Sequence, residues 1–219
     1  PLERIDILAA VENRTIRIAL QGSVVDWSDP VNSGWKGQLA NFNLSREQFS
    51  ISLDQPAPLE MNPDRFSLQD LCLTGTRKAT LCAATSWQAP DEISLSTDLT
   101  AIPLSVLELF VDTDVRFNQV LSGTFNWRQA PGANRSGNAR IEMSPGVITL
   151  EGDDDIQLET GSGLFGFEVA NGRLQSGVLD LSFPQTGAID VNFSADDLRR
   201  GTESPIQGTA RIDLSDIGV

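Results

Sequence analysis

The sequence predicts an all-β fold, an antiparallel meander, from three observations. Apolar and polar residues alternate in short runs along the chain, as in Ala139-Arg140-Ile141-Glu142-Met143, and successive side chains of an extended strand point to opposite faces. Between the runs lie breaks suited to hairpin turns, such as Ser144-Pro145-Gly146, Ala170-Asn171-Gly172 and Gln185-Thr186-Gly187. One segment alone has helical spacing. Each strand therefore has an oily face and a wet face, and whatever covers the oily face decides the function.

The first strand places Ile16, Ile18 and Leu20 on one face and Thr15, Arg17 and Ala19 on the other. Ala40, Phe42 and Leu44 repeat the pattern, followed by Phe49, Ile51 and Leu53. A hairpin at 71–83 turns near Gly75 to Arg77, which sets Cys72 opposite Cys82, Leu73 opposite Leu81 and Leu71 opposite Ala83. Directly opposed strand residues bring Cβ atoms to about 4.5–5.5 Å, near the roughly 3.5–4.5 Å of a disulfide. A Cys72–Cys82 disulfide is expected, and with it an oxidising compartment such as the periplasm; the alternative is two small apolar thiols in a cytosolic sheet.

Ile93 with Leu95 and Phe125 with Trp127 mark further strands. Between them Pro103 suits a first helical turn, and Leu104, Leu107 and Phe110 recur at steps of three, which predicts a short helix with an apolar face. From Gly137 the strands become short and regular, at 137–143, 146–151, 155–160, 164–170, 173–183, 187–194 and 206–214. The chain divides into β structure with the cysteine hairpin at 1–100, a short helix at 101–114 and a regular meander at 115–219, read as one continuous unit and as a piece of a longer protein. About fourteen strands at about 4.8 Å spacing would span roughly 65 Å, so the sheet must fold over, close or split.

Composition removes whole classes of function. The chain has 219 residues, 40% of them hydrophobic, enough for a sizeable apolar interior. Only 16 Lys and Arg against 30 Asp and Glu, a net charge of -14, argue against nucleic acid or an anionic membrane surface as a direct partner. Without a single His, His-based triads are gone along with the commonest metal ligand, and two cysteines alone build no zinc site. No catalytic residue, metal or cofactor is expected, and the protein is read as a non-enzyme.

Three motifs point elsewhere and fail on context. Gly161-Ser162-Gly163-Leu164-Phe165-Gly166 matches a dinucleotide fingerprint, but Phe165, Phe167 and Val169 alternate as a strand where that motif needs a helix. Glu151-Gly152-Asp153-Asp154-Asp155 lacks the spacing of a calcium loop and suits a charged turn. The pairs Asp26 with Asp29 and Asp153 with Asp155 have nothing to set them across a glycosidase cleft. Sequons at Asn13, Asn43, Asn134 and Asn192 matter only in a eukaryotic secretory protein.

Several short stretches in order resemble the bacterial TamB family of the AsmA-like superfamily. These are Gly34-Trp35-Lys36-Gly37-Gln38-Leu39, Gln55-Pro56-Ala57-Pro58-Leu59, Phe66-Ser67-Leu68 leading into Leu71-Cys72-Leu73, and Leu81-Cys82. Ala101-Ile102-Pro103-Leu104-Ser105-Val106-Leu107 followed by Leu121-Ser122-Gly123-Thr124-Phe125 is similar to the family's short Pro-Leu helix and the strand after it. The closing Gly208-Thr209-Ala210-Arg211-Ile212-Asp213-Leu214-Ser215-Asp216-Ile217-Gly218 resembles its repeat ending.

The resemblance implies a periplasmic segment of a protein anchored in the inner membrane of a Gram-negative bacterium by an N-terminal helix. It implies a sheet curled into an open, β-taco-like groove and a similar cysteine pair. It also implies a role in outer-membrane assembly and phospholipid movement with the outer-membrane partner TamA, contacted through a C-terminal region this chain lacks. A groove for phospholipid acyl chains would then be lined by Ile141, Met143, Ile148 and Leu150, by Ile156, Leu158, Phe165 and Phe167, by Leu179, Leu181, Ile189 and Val191, and by Phe193, Ile212 and Leu214.

Three other arrangements stand beside it. The same side chains interlock across about 10 Å in a closed sandwich. An interaction module would instead hold outer-membrane protein strands at an exposed sheet edge. The third is an extracellular adhesion or carbohydrate-binding sandwich. As an isolated chain the expectation is a monomer or an edge-paired form.

Overall fold

A computed structural model of the chain describes residues 4–11, 14–25, 33–46, 49–109, 114–132, 134–152, 155–198 and 205–214. The predicted alternation becomes strands almost throughout, and every register that is resolved is antiparallel. The chain forms two compact units, residues up to Leu99 with Arg128–Gly132, and Thr100–Trp127 with the residues from Ala133 onward.

The first unit holds β1 (Arg4–Val11), β2 (Arg14–Val25), β3 (Gly34–Arg46), β4 (Phe49–Leu53), β5 (Ala57–Asn62), β6 (Arg65–Gly75), β7 (Thr80–Gln88) and the start of β8 (Glu92–Pro103). Their order is β1-β2-β3-β4-β6-β7-β8. Strands β4 and β5 lie end to end between β3 and β6, because Asp54-Gln55-Pro56 breaks what would be one strand. The cysteine hairpin has the predicted register, with Cys72 facing Cys82, Leu73 facing Leu81 and Leu71 facing Ala83. Its turn is a single 3-10 turn at Thr76–Lys78, closed by the Gly75 N–H donating to the Ala79 carbonyl at 2.8 Å. The disulfide is formed.

The second unit holds β9 (Val115–Phe117), β10 (Val120–Ala130) up to Trp127, β11 (Asn134–Met143), β12 (Gly146–Leu150), β13 (Ile156–Thr160), β14 (Gly163–Ala170), β15 (Arg173–Phe183), β16 (Gly187–Ala195) and β17 (Ile206–Leu214). Here the order is β10-β11-β14-β15-β16-β17, beside a three-stranded sheet of order β13-β12-β9. The strand boundaries predicted from Gly137 onward are met to within a residue or so, except that β11 starts earlier.

Neither sheet closes into a barrel: among the described residues β1 pairs only with β2, and β17 only with β16. The fold class is the predicted one, antiparallel, all-β and open. Register shifts at Ala19/Leu20, Leu68/Leu71, Glu168/Val169 and Leu174/Gly177 insert extra residues that bend their strands, a local source of curl.

Two expectations are corrected. A strictly consecutive meander fails at β12 and β13, which leave the main sheet so that β11 pairs directly with β14. The helix is a 3-10 helix at Leu104–Leu109, and Pro103 ends strand β8 instead of opening the helix. Three residues per turn is the 3-10 repeat, so steps of three fit this geometry better than an α-helix. Phe110 and residues 111–113 lie outside the described residues, as do Asn13, Asp26, Asp29, Asp153 and Asp154.

Candidate functional site

Residues directly opposite in register share a face of the sheet. In the second unit this aligns Ile141, Phe165, Leu179, Val191 and Ala210 as one rung across β11, β14, β15, β16 and β17. The next rung carries Met143, Gly163, Leu181, Ile189 and Ile212, and the one on the other side Ala139, Phe167, Gly177, Phe193 and Gly208. Leu214 sits opposite Gly187 by backbone register. No charged residue stands on these rungs.

Ring contacts tie the rungs together. Phe167 meets Phe125 of β10 edge to face with centroids 5.9 Å apart, and Phe165 on its other side at 6.1 Å. The Phe125–Phe167 contact bridges Ala139, which is buried. Phe193 likewise covers Gly177, where any Cβ would strike its ring.

This face has the burial pattern of a surface with no layer over it. Phe165 is 38% exposed and Ile212 62%, while Ile141, Phe167, Leu179, Val191 and Phe193 are half-buried. The buried apolar side chains among the described residues are Ala19, Leu44, Ala57, Leu73, Ala79, Ala139, Val169 and Ala195, most of them small. Interlocked sandwich walls would bury the large side chains instead.

Four of the residues expected to line the groove stand on a different sheet. Ile148, Leu150, Ile156 and Leu158 belong to the three-stranded sheet, where Val115, Leu150 and Ile156 form one rung and Phe117, Ile148 and Leu158 another. Its apolar face is open, with Ile156 64% exposed. At its base the wholly buried Gln119 donates through Nε2 to the Thr160 hydroxyl at 2.8 Å, and Thr160 donates on to the Gly146 carbonyl at 3.3 Å. The alternating sequence at 146–160 shows strands with an oily face, but the pattern cannot say which sheet they join.

The first unit carries a comparable face that the sequence reading did not name as a site. Ala9, Ile16, Leu44 and Ile51 form one rung, and Val24, Trp35, Met61, Phe66 and Trp87 another. The bulges hide it: apolar positions run through Phe42 and Leu44 on β3 but change phase to Leu39 and Trp35 once the extra residue is passed.

Charges occupy the opposite face. Arg140 pairs with Glu142 at 2.8 Å and Arg211 with Asp213 at 3.0 Å, each two residues along one strand. Arg4 pairs with Asp6 at 2.8 Å, and the hydrogen bond and charge of Asp6 raise the Arg4 pKa further. Lys36 meets Glu60 across β3 and β5 at 2.6 Å, and its hydrogen bond and charge, with a smaller contribution from Arg65, hold the Glu60 carboxyl below the usual carboxylate range. Cys72 and Cys82 also lie on this face, since Leu71, Leu73, Leu81 and Ala83 take the other.

The motifs set aside on context have structural partners. The glycine-rich stretch leads into strand β14, with no helix behind it. Glu151 of the acidic turn pairs with Arg116 at 3.0 Å, and Asp155 accepts from the Gly152 N–H. Among the described residues no cluster of His, Cys, Asp and Glu has the arrangement to hold a metal, and no helix is long and apolar enough to cross a membrane.

Open antiparallel β structure, with an apolar face and a charged face in each unit, is the class of protein these observations define. Residues 7–218 match the family described as TamB, N-terminal domain, and the chain belongs to that family. No curated protein and no solved structure matches it. Membership places it in the biogenesis of the Gram-negative envelope and its outer membrane.

Proposed function

We propose that the apolar face conducts phospholipid acyl chains between the inner and outer membranes, as a non-enzymatic segment of an inner-membrane-anchored periplasmic protein working with an outer-membrane partner of the TamA type. The supporting observation is the set of adjoining rungs from β11 to β17, apolar throughout and left partly open. Each methylene moved from water onto such a face gains about 0.8 kcal/mol. Adjacent positions offer nearly the same gain, so a chain can slide without a fixed polar site while its head group stays in water.

The test is photocrosslinking in cells from positions 141 and 167, with the attached molecule identified by mass. Phospholipid adducts at both positions, absent from a probe at the outward Glu142, support the conduit. Adducts only to barrel proteins favour a second reading, addition of nascent outer-membrane strands to a sheet edge. The outer edges of β1 and β17, which have no strand partner among the described residues, are the observation behind that reading.

A further inference from the structure

In the first unit the apolar face changes character at one end of its strands. Trp35 is the second residue of β3, Met61 the last but one of β5, Phe66 the second of β6 and Trp87 the last but one of β7, and register makes them a single rung. The next rung inward, Gly22, Gly37, Leu59, Leu68 and Thr85, holds no aromatic residue. The Trp35 indole lies over Gly22 and Gly37, where any Cβ would collide with it, so the ring is held flat on the sheet. Both indoles are half-buried and Met61 is 51% exposed.

The same strand ends carry charges of both signs on the opposite face. Lys36 follows Trp35 and pairs with Glu60, Arg65 precedes Phe66, and Glu92 at the start of β8 faces Arg128 at 3.8 Å. Lys36, Arg65 and Arg128 thus stand among Glu60 and Glu92 along one edge, with Asp64 and Asp91 in its turns, in a chain with a net charge of -14.

We propose that this rim is the headgroup side of the lipid groove and that it is fitted to a zwitterionic phospholipid, one with a phosphate and an ammonium. The inference rests on the acyl-chain reading above and adds which lip the head group crosses and its charge class. Indole is apolar in body and carries one N–H donor, which suits the boundary where glycerol esters meet hydrocarbon. Lys36 and Arg65 complement the phosphate, and Glu60 and Glu92 the ammonium. A purely anionic head group offers its phosphate to Lys36 and Arg65 but brings no cation to Glu60 and Glu92.

The experiment uses this chain loaded from phosphatidylethanolamine vesicles carrying a nitroxide either near the acyl carbonyl or near the chain end. With no Tyr present, ultraviolet emission comes from the Trp residues. The carbonyl-side label is expected to quench about twofold more than the chain-end label. The double variant Trp35→Phe/Trp87→Phe should lose that difference in the lipid it retains, while Glu142→Gln on the charged face of the second unit should keep both the difference and lipid retention by native mass spectrometry.

Retained lipid with equal or inverted quenching overturns the rim assignment alone. A chain that retains no lipid overturns the groove reading and the rim with it. From an equimolar mixture with phosphatidylglycerol, the wild-type chain should retain severalfold more phosphatidylethanolamine, and Glu60→Lys/Glu92→Lys should bring the ratio to one or below. A ratio that those changes do not move overturns the charge-class assignment.

Discussion

Phe193 of β16 covers Gly177 of β15, and a β-carbon at position 177 has nowhere to go except into the ring. The same rung alternates large and small across the sheet, from Ala139 through Phe167, Gly177 and Phe193 to Gly208. The Phe193 ring thus fills the space that a side chain at Gly177 would take. Gly177→Ala should displace Phe193 and destabilise the chain by about 1–3 kcal/mol, read as a fall in denaturation midpoint. Gly177→Ala combined with Phe193→Leu should recover part of that loss. If Gly177→Ala alone is neutral, the ring does not hold this position in solution.

Gln119 and Thr160 test how the small sheet is tied down. The Gln119 amide is wholly buried, with Nε2 bonded to Thr160 and Oε1 without a partner. Thr160→Val strands the amide donor in the interior and should cost about 1–3 kcal/mol. Gln119→Met removes donor and orphan acceptor together, while Thr160 keeps its bond to the Gly146 carbonyl, so it should cost less. Chemical denaturation of the two variants gives the order, and hydrogen exchange should quicken first in β12 and β13. The reverse order would show that the Oε1 position has a partner in solution.

The disulfide makes a separable contribution. It closes a short loop, with a sequence separation of 10, and lies on the charged face. Loop-closure entropy at that length is worth about 2–3 kcal/mol. Reduction, or Cys72→Ser/Cys82→Ser, should lower the midpoint accordingly and leave acyl-chain retention by folded protein unchanged. Loss of retention at a temperature where the reduced chain is still folded would place the bridge within the groove's working surface.

Hairpin register was legible because its information is local. The spacing of Cys72 and Cys82 about Gly75, or of Val169 and Leu174 about Asn171-Gly172, sets partners with no knowledge of the rest of the chain. Sheet membership was not. Leu158 alternates with polar neighbours just as Val191 does, yet it joins another sheet, which is tied at its base by Gln119, a buried polar residue that no periodicity marks. Bulges hid the first unit's face for a related reason, since one extra residue reverses the face of every residue beyond it.

Acid should weaken the Lys36–Glu60 pair in a predictable direction. Glu60 is held below the usual carboxylate range in the folded chain by the Lys36 hydrogen bond and charge. A depressed pKa contributes stability that is complete above the unfolded value and is lost as pH falls through the folded one. Both groups are well exposed, so the contribution is small and screened by salt. Carboxyl carbon NMR should find Glu60 titrating lower than in Lys36→Met, with the gap shrinking at high salt. Identical titration in the two proteins would mean that the pair does not persist in solution.

The conduit reading turns on which side of β16 a charge is placed, and neighbouring residues make the comparison clean. Val191 lies on the apolar rung between Leu179 and Ala210, while Asp190 faces Asp180 on one side and Arg211 on the other. Val191→Asp puts an unpaired carboxylate where acyl chains would lie, at a cost of several kcal/mol to anything apolar covering it. Asp190→Lys exchanges one like-charge contact for another, relieving Asp180 and crowding Arg211, so the fold should change by no more than about 0.5 kcal/mol. In the protein as it works in cells, Val191→Asp should stop lipid passage between the membranes, and Asp190→Lys should leave it intact. Circular dichroism of the purified variants checks that both fold. Equal passage by the two would mean that acyl chains do not travel on this face.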